Sequence, residues 1–246
     1  MFSFFTKKTF LIDSLNGFID MHNHLLPGID DGAKTTEESI TLIKEFGQFG
    51  VTNFIATPHI MDNYYPNSLE TINKSLAELK NKLAYENISG ISIAAAAEHM
   101  IDSNFEFLLE NKQVVPMNRN YLLVEMSYLQ ASINFDSAIQ KIAKERYFPI
   151  LAHPERYVYL HSKFRKYKKY KNQGILFQLN LLSLSSYYGK EVQQTANKLL
   201  SQGLLDFVAS DVHNIRQLHS LKELKITQKQ LHMLQPIIEN TIQTFI

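Results

Sequence analysis

Short apolar runs alternate with amphipathic stretches along nearly the whole chain. VTNFIATPH, ISIAAAAEH, YLLVEM, FPILAHPER and LLDFVASDVH are continuous apolar segments capped by polar residues, the pattern of parallel strands buried on both faces. Strands are expected to end at or near His22, Thr57, Ala97, Glu125, His153, Asn180 and Ser210. Helical periodicity fills the intervals. The clearest case begins at Thr35, where Thr35 and Glu38 fit a capping box and Ile40, Ile43 and Phe46 form one apolar stripe. Other helices are expected over roughly Leu69 to Tyr85, Phe135 to Glu145, Glu191 to Ser201 and Gln228 to Thr244. A strand followed by a helix, repeated about seven times, predicts an α/β fold of the (β/α) barrel kind. No internal repeat, low-complexity tract or Gly/Ser-rich linker divides it, so a single domain is expected.

Composition narrows the chemistry. The 246 residues contain no cysteine, which excludes disulfides, thiolate zinc sites and thiol nucleophiles. A formal net charge of +1 offers no general attraction for nucleic acid or anionic membrane, so recognition of an anion must be local. The start, MFSFFTKKTFLIDSL, is interrupted by Lys7 and Lys8 and falls short of the ~20 apolar residues of a spanning helix. It reads as an N-terminal arm, residues 1–17, ahead of a domain over 18–246, with neither signal peptide nor membrane insertion, and the protein as cytoplasmic. The run from Lys163 to Lys171 is the one notable charge cluster. It reads first as a solvated helix face, and alternatively as a guide for an acidic peptide.

The candidate chemistry sits at strand ends. In DMHNH, Asp20, His22 and His24 alternate and project to one face of a pleat. An H-x-H pair alone is weak. However, His59 follows FIATP, Glu98 follows ISIAAAA, His153 follows FPILA, and Asp211 with His213 follows DFVAS, while Asp30 and Asp31 lie in the loop PGIDDGAK. The C-terminal ends of barrel strands form the catalytic face. Singly each residue also fits a hydrogen-bonded core group; together they predict a polynuclear metal centre. Histidine and carboxylate donors without sulfur suit manganese, iron or zinc. His99, His161, His219 and His232 lack this placement and read as structural.

The string DMHNHLLPGIDDGAKTTEES resembles the opening of the polymerase-and-histidinol-phosphatase (PHP) superfamily. Within it the chain is similar to bacterial manganese-dependent tyrosine-protein phosphatases of capsule and exopolysaccharide loci. H-x-H, DDG, an isolated His, a Glu, HPER and S-D-x-H-N recur in order from Asp20 to Asn214. The resemblance implies a PHP-type distorted (β/α)7 barrel holding two or three manganese ions. One metal position would use His22, His24, Glu98 and Asp211; a second would use Glu98 as a bridge with His153; a third would use Asp31, His59 and His213. Arg156 of HPER matches the family arginine that contacts the phosphate, and Arg216 stands closer to S-D-x-H-N than the second family arginine does.

The implied reaction is hydrolysis of phosphotyrosine by metal-activated hydroxide, with Arg156, Asp211 and His59 as the catalytic group. The implied partner is the tyrosine-rich tail of a bacterial tyrosine kinase. Two other readings stay open at this point: a small-molecule phosphatase such as histidinol phosphatase, and a non-catalytic phosphotyrosine-binding module. Tyr64, Tyr65, Tyr187 and Tyr188 fall in expected loops and suit either stacking on a substrate ring or plain amphipathic surface. Oligomeric state is not legible.

Overall fold

The apolar runs build a ring of parallel strands. The computed structural model describes residues 8–246. Its strands are β1 (Lys8–Phe10), β2 (Ile19–Asp20), β3 (Asn53–Ala56), β4 (His59–Ile60), β5 (Ser92–Ala95) and β6 (Glu98–Met100). They continue with β7 (Tyr121–Glu125), β8 (Phe148–Ala152), β9 (Leu176–Asn180), β10 (Phe207–Ala209) and β11 (Lys225–Thr227). The helices are α1 (Thr36–Gly47), α2 (Leu69–Tyr85), α3 (Phe105–Glu110), α4 (Phe135–Lys144), α5 (Val158–His161), α6 (Arg165–Asn172), α7 (Lys190–Ser201), α8 (Ile215–Lys222) and α9 (Gln228–Phe245).

Two parallel sheets, ordered β10-β9-β8-β7-β6-β4 and β2-β3-β5, share their middle. β3 and β4 are halves of one strand broken at Thr57–Pro58, and β5 and β6 are halves of another broken at Ala96–Ala97. Proline lacks the N–H that a continuous ladder needs, yet the Pro58 carbonyl still accepts from the Glu98 amide at 3.1 Å. The ring closes where Asn23 and Val212 form a parallel bridge, supported by the Asp211 amide donating to the His22 carbonyl at 2.8 Å and the His24 amide to the Val212 carbonyl at 3.0 Å. Counting each broken strand once gives seven positions: β2, β3–β4, β5–β6, β7, β8, β9 and β10. This is the distorted (β/α)7 barrel expected from the sequence.

The barrel interior is filled by Ile19, Met21, Ile55, Ala96, Leu123, Ile150, Ala152, Phe207 and Ala209. Phe245 of α9 seals its lower end against Phe207 and Tyr121. A larger apolar layer lies between strands and helices and includes Phe46, Phe54, Leu79, Ile139, Phe177 and Leu199. Helix ends follow their sequence signals with one difference. Thr35 accepts from the Glu38 amide at 3.3 Å, but the Glu38 carboxylate accepts from the Lys34 amide instead of closing a box onto Thr35.

Of the expected arm, residues 1–7 lie outside the described residues. Its remainder is built into the domain: β1 pairs antiparallel with β11, and Leu11 and Leu15 are buried. Neither β1, β11 nor the short helices α3 and α8 were expected from periodicity, because each is too brief to show a period. The basic run forms α6, with Tyr167 and Tyr170 buried and Lys169 and Lys171 paired to Asp136 and Asp206.

Candidate metal centre

Side chains two apart on a strand share a face, and this rule builds most of the centre. Ala96, Leu123, Leu176 and Ala209 face the barrel interior. Two residues further on, Glu98, Glu125, Gln178 and Asp211 therefore emerge at its mouth, all buried. His22 and His24 enter from the end of the first strand, His59 from β4, and His153 from the end of β8. His153 and Asp211 both adopt left-handed backbone, with φ of 34° and 51°, sparsely populated for residues with a Cβ. Strain of this kind concentrates where a side chain must be aimed.

Three of the histidines are held from behind. His22 Nδ1 bonds Gln178 Oε1 at 2.9 Å, leaving Nε2 at 3.2 Å from both Glu98 Oε2 and Asp211 Oδ1. His24 Nδ1 bonds Asp30 Oδ2 at 2.7 Å, which turns Nε2 toward Asp211 and Glu98. His213 Nδ1 bonds the Asp211 carbonyl at 2.9 Å and points Nε2 at Asp31, 3.5 Å away. Such outer partners fix tautomer and ring plane in metal sites. The adjacent aspartates thus divide the work. Asp30 is buried and accepts from the Gly32 and His59 amides, whereas Asp31 is half-exposed and faces His59 and His213. Gly32 is required here, because a Cβ would stand 2.2 Å from the His24 carbonyl oxygen.

The inner atoms are unsatisfied. His22 Nε2, His24 Nε2, His59 Nδ1, Glu98 Oε2, Glu125 Oε1, His153 Nδ1 and Asp211 Oδ1 are buried without a hydrogen-bond partner among the described residues. Orphaned polar atoms at this density are costly unless something else binds them. They fall into overlapping sets whose ligand atoms lie within 4.8 Å of one another: His24, Asp31, His59 and His213; His22, His24, Glu98 and Asp211; and His59, Glu98 and Glu125. His153 stands outside these sets but touches the bridge between them, its Nε2 3.0 Å from Glu98 Oε1. The donor set fits divalent metal ions.

Electrostatics agree. Burial opposes the charged form of Glu98 and Asp211, but facing histidines, His22 first, outweigh it and hold both carboxyls well below their ordinary range. Burial likewise opposes charge on His24, yet Asp30 raises it to about 10. Its stacked neighbour His213, with ring centroids 3.7 Å apart, is pushed down to about 4 by burial and by the His24 charge. Without metal, protons occupy the place of cations in this carboxylate cage.

All the expected site residues, His22, His24, Asp31, His59, Glu98, His153, Arg156, Asp211 and His213, meet at one mouth. Arg156 Nη1 donates to Asp211 Oδ2 at 2.7 Å and lines, with His59, Tyr65, Glu125 and Tyr128, a cavity of about 1090 Å³. Arg216 is not brought there: it is exposed on α8. His99 is buried on the opposite face of β6, bonded at both nitrogens. Glu125 and Gln178 have site positions that sequence motifs missed, although the period of two would have found them.

Comparison with known proteins bears on this geometry. Residues 18–232 match the family described as capsular polysaccharide synthesis, CpsB/CapC. The chain belongs to the CpsB/CapC family. It is 29% identical over 221 residues to CapC of Staphylococcus aureus, covering 87% of this chain and 86% of that protein. It is 27% identical over 215 residues to the tyrosine-protein phosphatase YwqE of Bacillus subtilis, covering 86% and 84%. A solved structure from work on YwqE of Bacillus subtilis and CpsB of Streptococcus pneumoniae, described as metal-dependent tyrosine phosphatases, matches with a TM-score of 0.78 at 25% identity. That match covers 93% of this chain and 95% of the other.

Proposed function

We propose that this CpsB/CapC chain is a manganese-dependent protein-tyrosine phosphatase acting on the phosphorylated tail of a bacterial tyrosine kinase in capsule or exopolysaccharide regulation. The observation that carries the reading is the cage of buried, unpartnered nitrogen and carboxylate donors at the barrel mouth, in a family whose named relatives are tyrosine-protein phosphatases. Residues 18–246 would be the phosphatase domain and 1–17 its arm, the described part of which, 8–17, packs into that domain. The substrate implies a cytoplasmic protein; no helix among the described residues is long and apolar enough to cross a membrane.

His22, His24, Glu98 and Asp211 would hold one ion, Asp31, His59 and His213 another, and Glu98, Glu125 and His153 a third. Three residues belong to two of the geometric sets: His24, His59 and Glu98. A neutral imidazole gives one lone pair to one ion, whereas a carboxylate has two oxygens, so Glu98 is the natural bridge. Bound metal supplies an activated water as nucleophile and neutralises the phosphoryl oxygens. Arg156 receives phosphate oxygens with a planar fork that lysine cannot reproduce. Asp211 anchors that fork through Oδ2 while turning Oδ1 to the cage. The cavity wall of Tyr65 and Tyr128 suits a phenyl ring. A tyrosyl leaving group, with a pKa near ~10, departs with little help from a general acid.

The test is to strip the protein with chelator, restore manganese, and compare turnover of a phosphotyrosine peptide and of histidinol phosphate, with His153→Ala as control. Peptide turnover that requires both metal and His153 is expected. Preference for histidinol phosphate would replace the substrate class. Silence on both, with a stable complex to intact phosphopeptide, would leave a binding module.

A further inference from the structure

The phosphate-binding side of the mouth holds a feature that metal binding does not explain. The Arg156 guanidinium lies between two tyrosine rings, its Cζ 4.6 Å from the Tyr128 centroid and 4.3 Å from the Tyr188 centroid. The three residues come from the loops that follow three consecutive barrel strands. Tyr128 follows β7, Arg156 follows β8, and Tyr188 follows β9. Each ring is tied to the centre by its hydroxyl. Tyr128 Oη is 3.3 Å from His153 Nε2, and Tyr188 Oη accepts from Asn180 Nδ2 at 3.3 Å. Asn180 Nδ2 in turn donates to Asp211 Oδ2 at 2.9 Å, the same oxygen that receives Arg156.

We infer that Tyr128 and Tyr188 are positioning residues that hold the Arg156 guanidinium in a flat slot, so that its fork is set in plane before phosphate arrives. The inference rests on the proposed role of Arg156. Its physical basis is that Asp211 fixes only one point of the guanidinium, by a single bond from Nη1. One bond leaves the plane free to turn. Ring faces on both sides attract the cation and remove that freedom. A phenol ring face carries no formal charge, so its attraction for the guanidinium does not depend on the charge of Asp211. The rings therefore keep hold when Asp211 gives its charge to a metal ion, which the ion pair alone would not do. An arginine already set in the bound geometry loses less freedom on taking up an anion. Tyr188 thereby spends a ring face that would otherwise be free for a substrate ring.

The test measures the dissociation constant of inorganic phosphate for manganese-loaded protein by calorimetry, and KM and kcat for an aryl phosphate. The variants are Tyr128→Leu, Tyr188→Leu, the two matching Phe exchanges and Arg156→Lys. Tyr128 is 42% exposed, so its exchange carries the test should Tyr188→Leu fold poorly. The Leu variants should weaken phosphate by roughly five- to tenfold and raise KM more than they lower kcat, while Phe, which keeps the ring, restores affinity. If Tyr128→Leu binds phosphate as the parent does while Arg156→Lys binds it more weakly, the slot is overturned and the arginine role stands. If Arg156→Lys also binds normally, the arginine role itself falls. Equal loss in the Phe and Leu variants would assign the effect to the hydroxyls and overturn the slot.

Discussion

Glu98 and His99 are neighbours on one strand, both fully buried, and they face opposite ways. His99 points into the packed outer layer, where its Nδ1 donates to the Leu123 carbonyl at 3.1 Å and its Nε2 accepts from the Val115 amide at 3.1 Å. Glu98 points into the mouth, where Oε2 has no hydrogen-bond partner among the described residues and His22, His24 and His59 crowd around it. The outer region closes its polar account within the fold; the inner one leaves it open. Burial is the same in both, so saturation of polar atoms, not burial, separates a structural group from a ligand.

The contrast is broken most directly by mutation. Glu98→Gln or Asp211→Asn should lower kcat/KM on the order of a thousandfold or more, since losing one electrostatic partner alone costs ~100–1000-fold. Metal content by mass spectrometry should fall with it. The metal-free variants should melt somewhat below the parent, since Asp211 Oδ2 pairs with Arg156 and Glu98 Oε1 with His153, but manganese should no longer raise their melting temperature; a metal-induced rise equal to the parent's would show that the inner oxygens are not ligands.

Exchanges behind the histidines should cost less. Asp30→Asn and Gln178→Ala should each weaken metal affinity or activity ~10–100-fold, checked by competition with a chelating dye. Unchanged affinity would mean that neither orients its imidazole.

A stability effect comes next, on the outer side. Exchange of His99 for Ala strands the Leu123 carbonyl and the Val115 amide, at a cost of about 1–3 kcal/mol for each buried group left unpaired, with metal content unchanged. Burial pushes the His99 pKa down from 6.5 to about 4. Neutral His99 therefore contributes stability above pH 6.5 that is lost as pH falls from there through about 4. Denaturant unfolding of chelated protein at pH 7 and pH 5 should show a loss on the order of 2 kcal/mol from this residue, absent in the Ala variant.

The smallest effect is in proton counting. His24, raised to about 10 by Asp30, and His59, raised well above 6.5 by Glu125 and Glu98 against the opposing effect of burial, are charged at pH 7 without metal. Metal uptake should release about one to two protons, seen as a dependence of the calorimetric heat on buffer ionisation. No dependence would mean that the cage is empty of protons before metal enters.

Much of this was readable in the chain because parallel strands are long apolar runs and their polar ends are conspicuous. His22, His59, His153 and Asp211 could be placed before any geometry was known. Glu125 ends its strand in the same way, but a single carboxylate after YLLV belongs to no motif. The division between Asp30 and Asp31 was closed to sequence for another reason. Which of two adjacent carboxylates turns inward is decided by the loop, through the Gly32 and His59 amides that fix Asp30. The slot around Arg156 was less accessible still, because Tyr128 and Tyr188 are far from it in sequence and meet it only through strand order. Tyr188, which in sequence suits either stacking on a substrate ring or amphipathic surface, lies against Arg156.

Barrel closure carries a consequence in time. The first and last barrel strands meet through the Asn23–Val212 bridge and its neighbouring bonds, and the bond from the Ser210 amide to Asp20 spans 190 residues. His22 and His24 leave the ribosome early, while Asp211 and His213 leave late. A nascent chain therefore holds at most a fragment of the cage. The hydrolytic centre comes into being as the ring shuts, so synthesis itself delays the reaction until the barrel that confines it is complete.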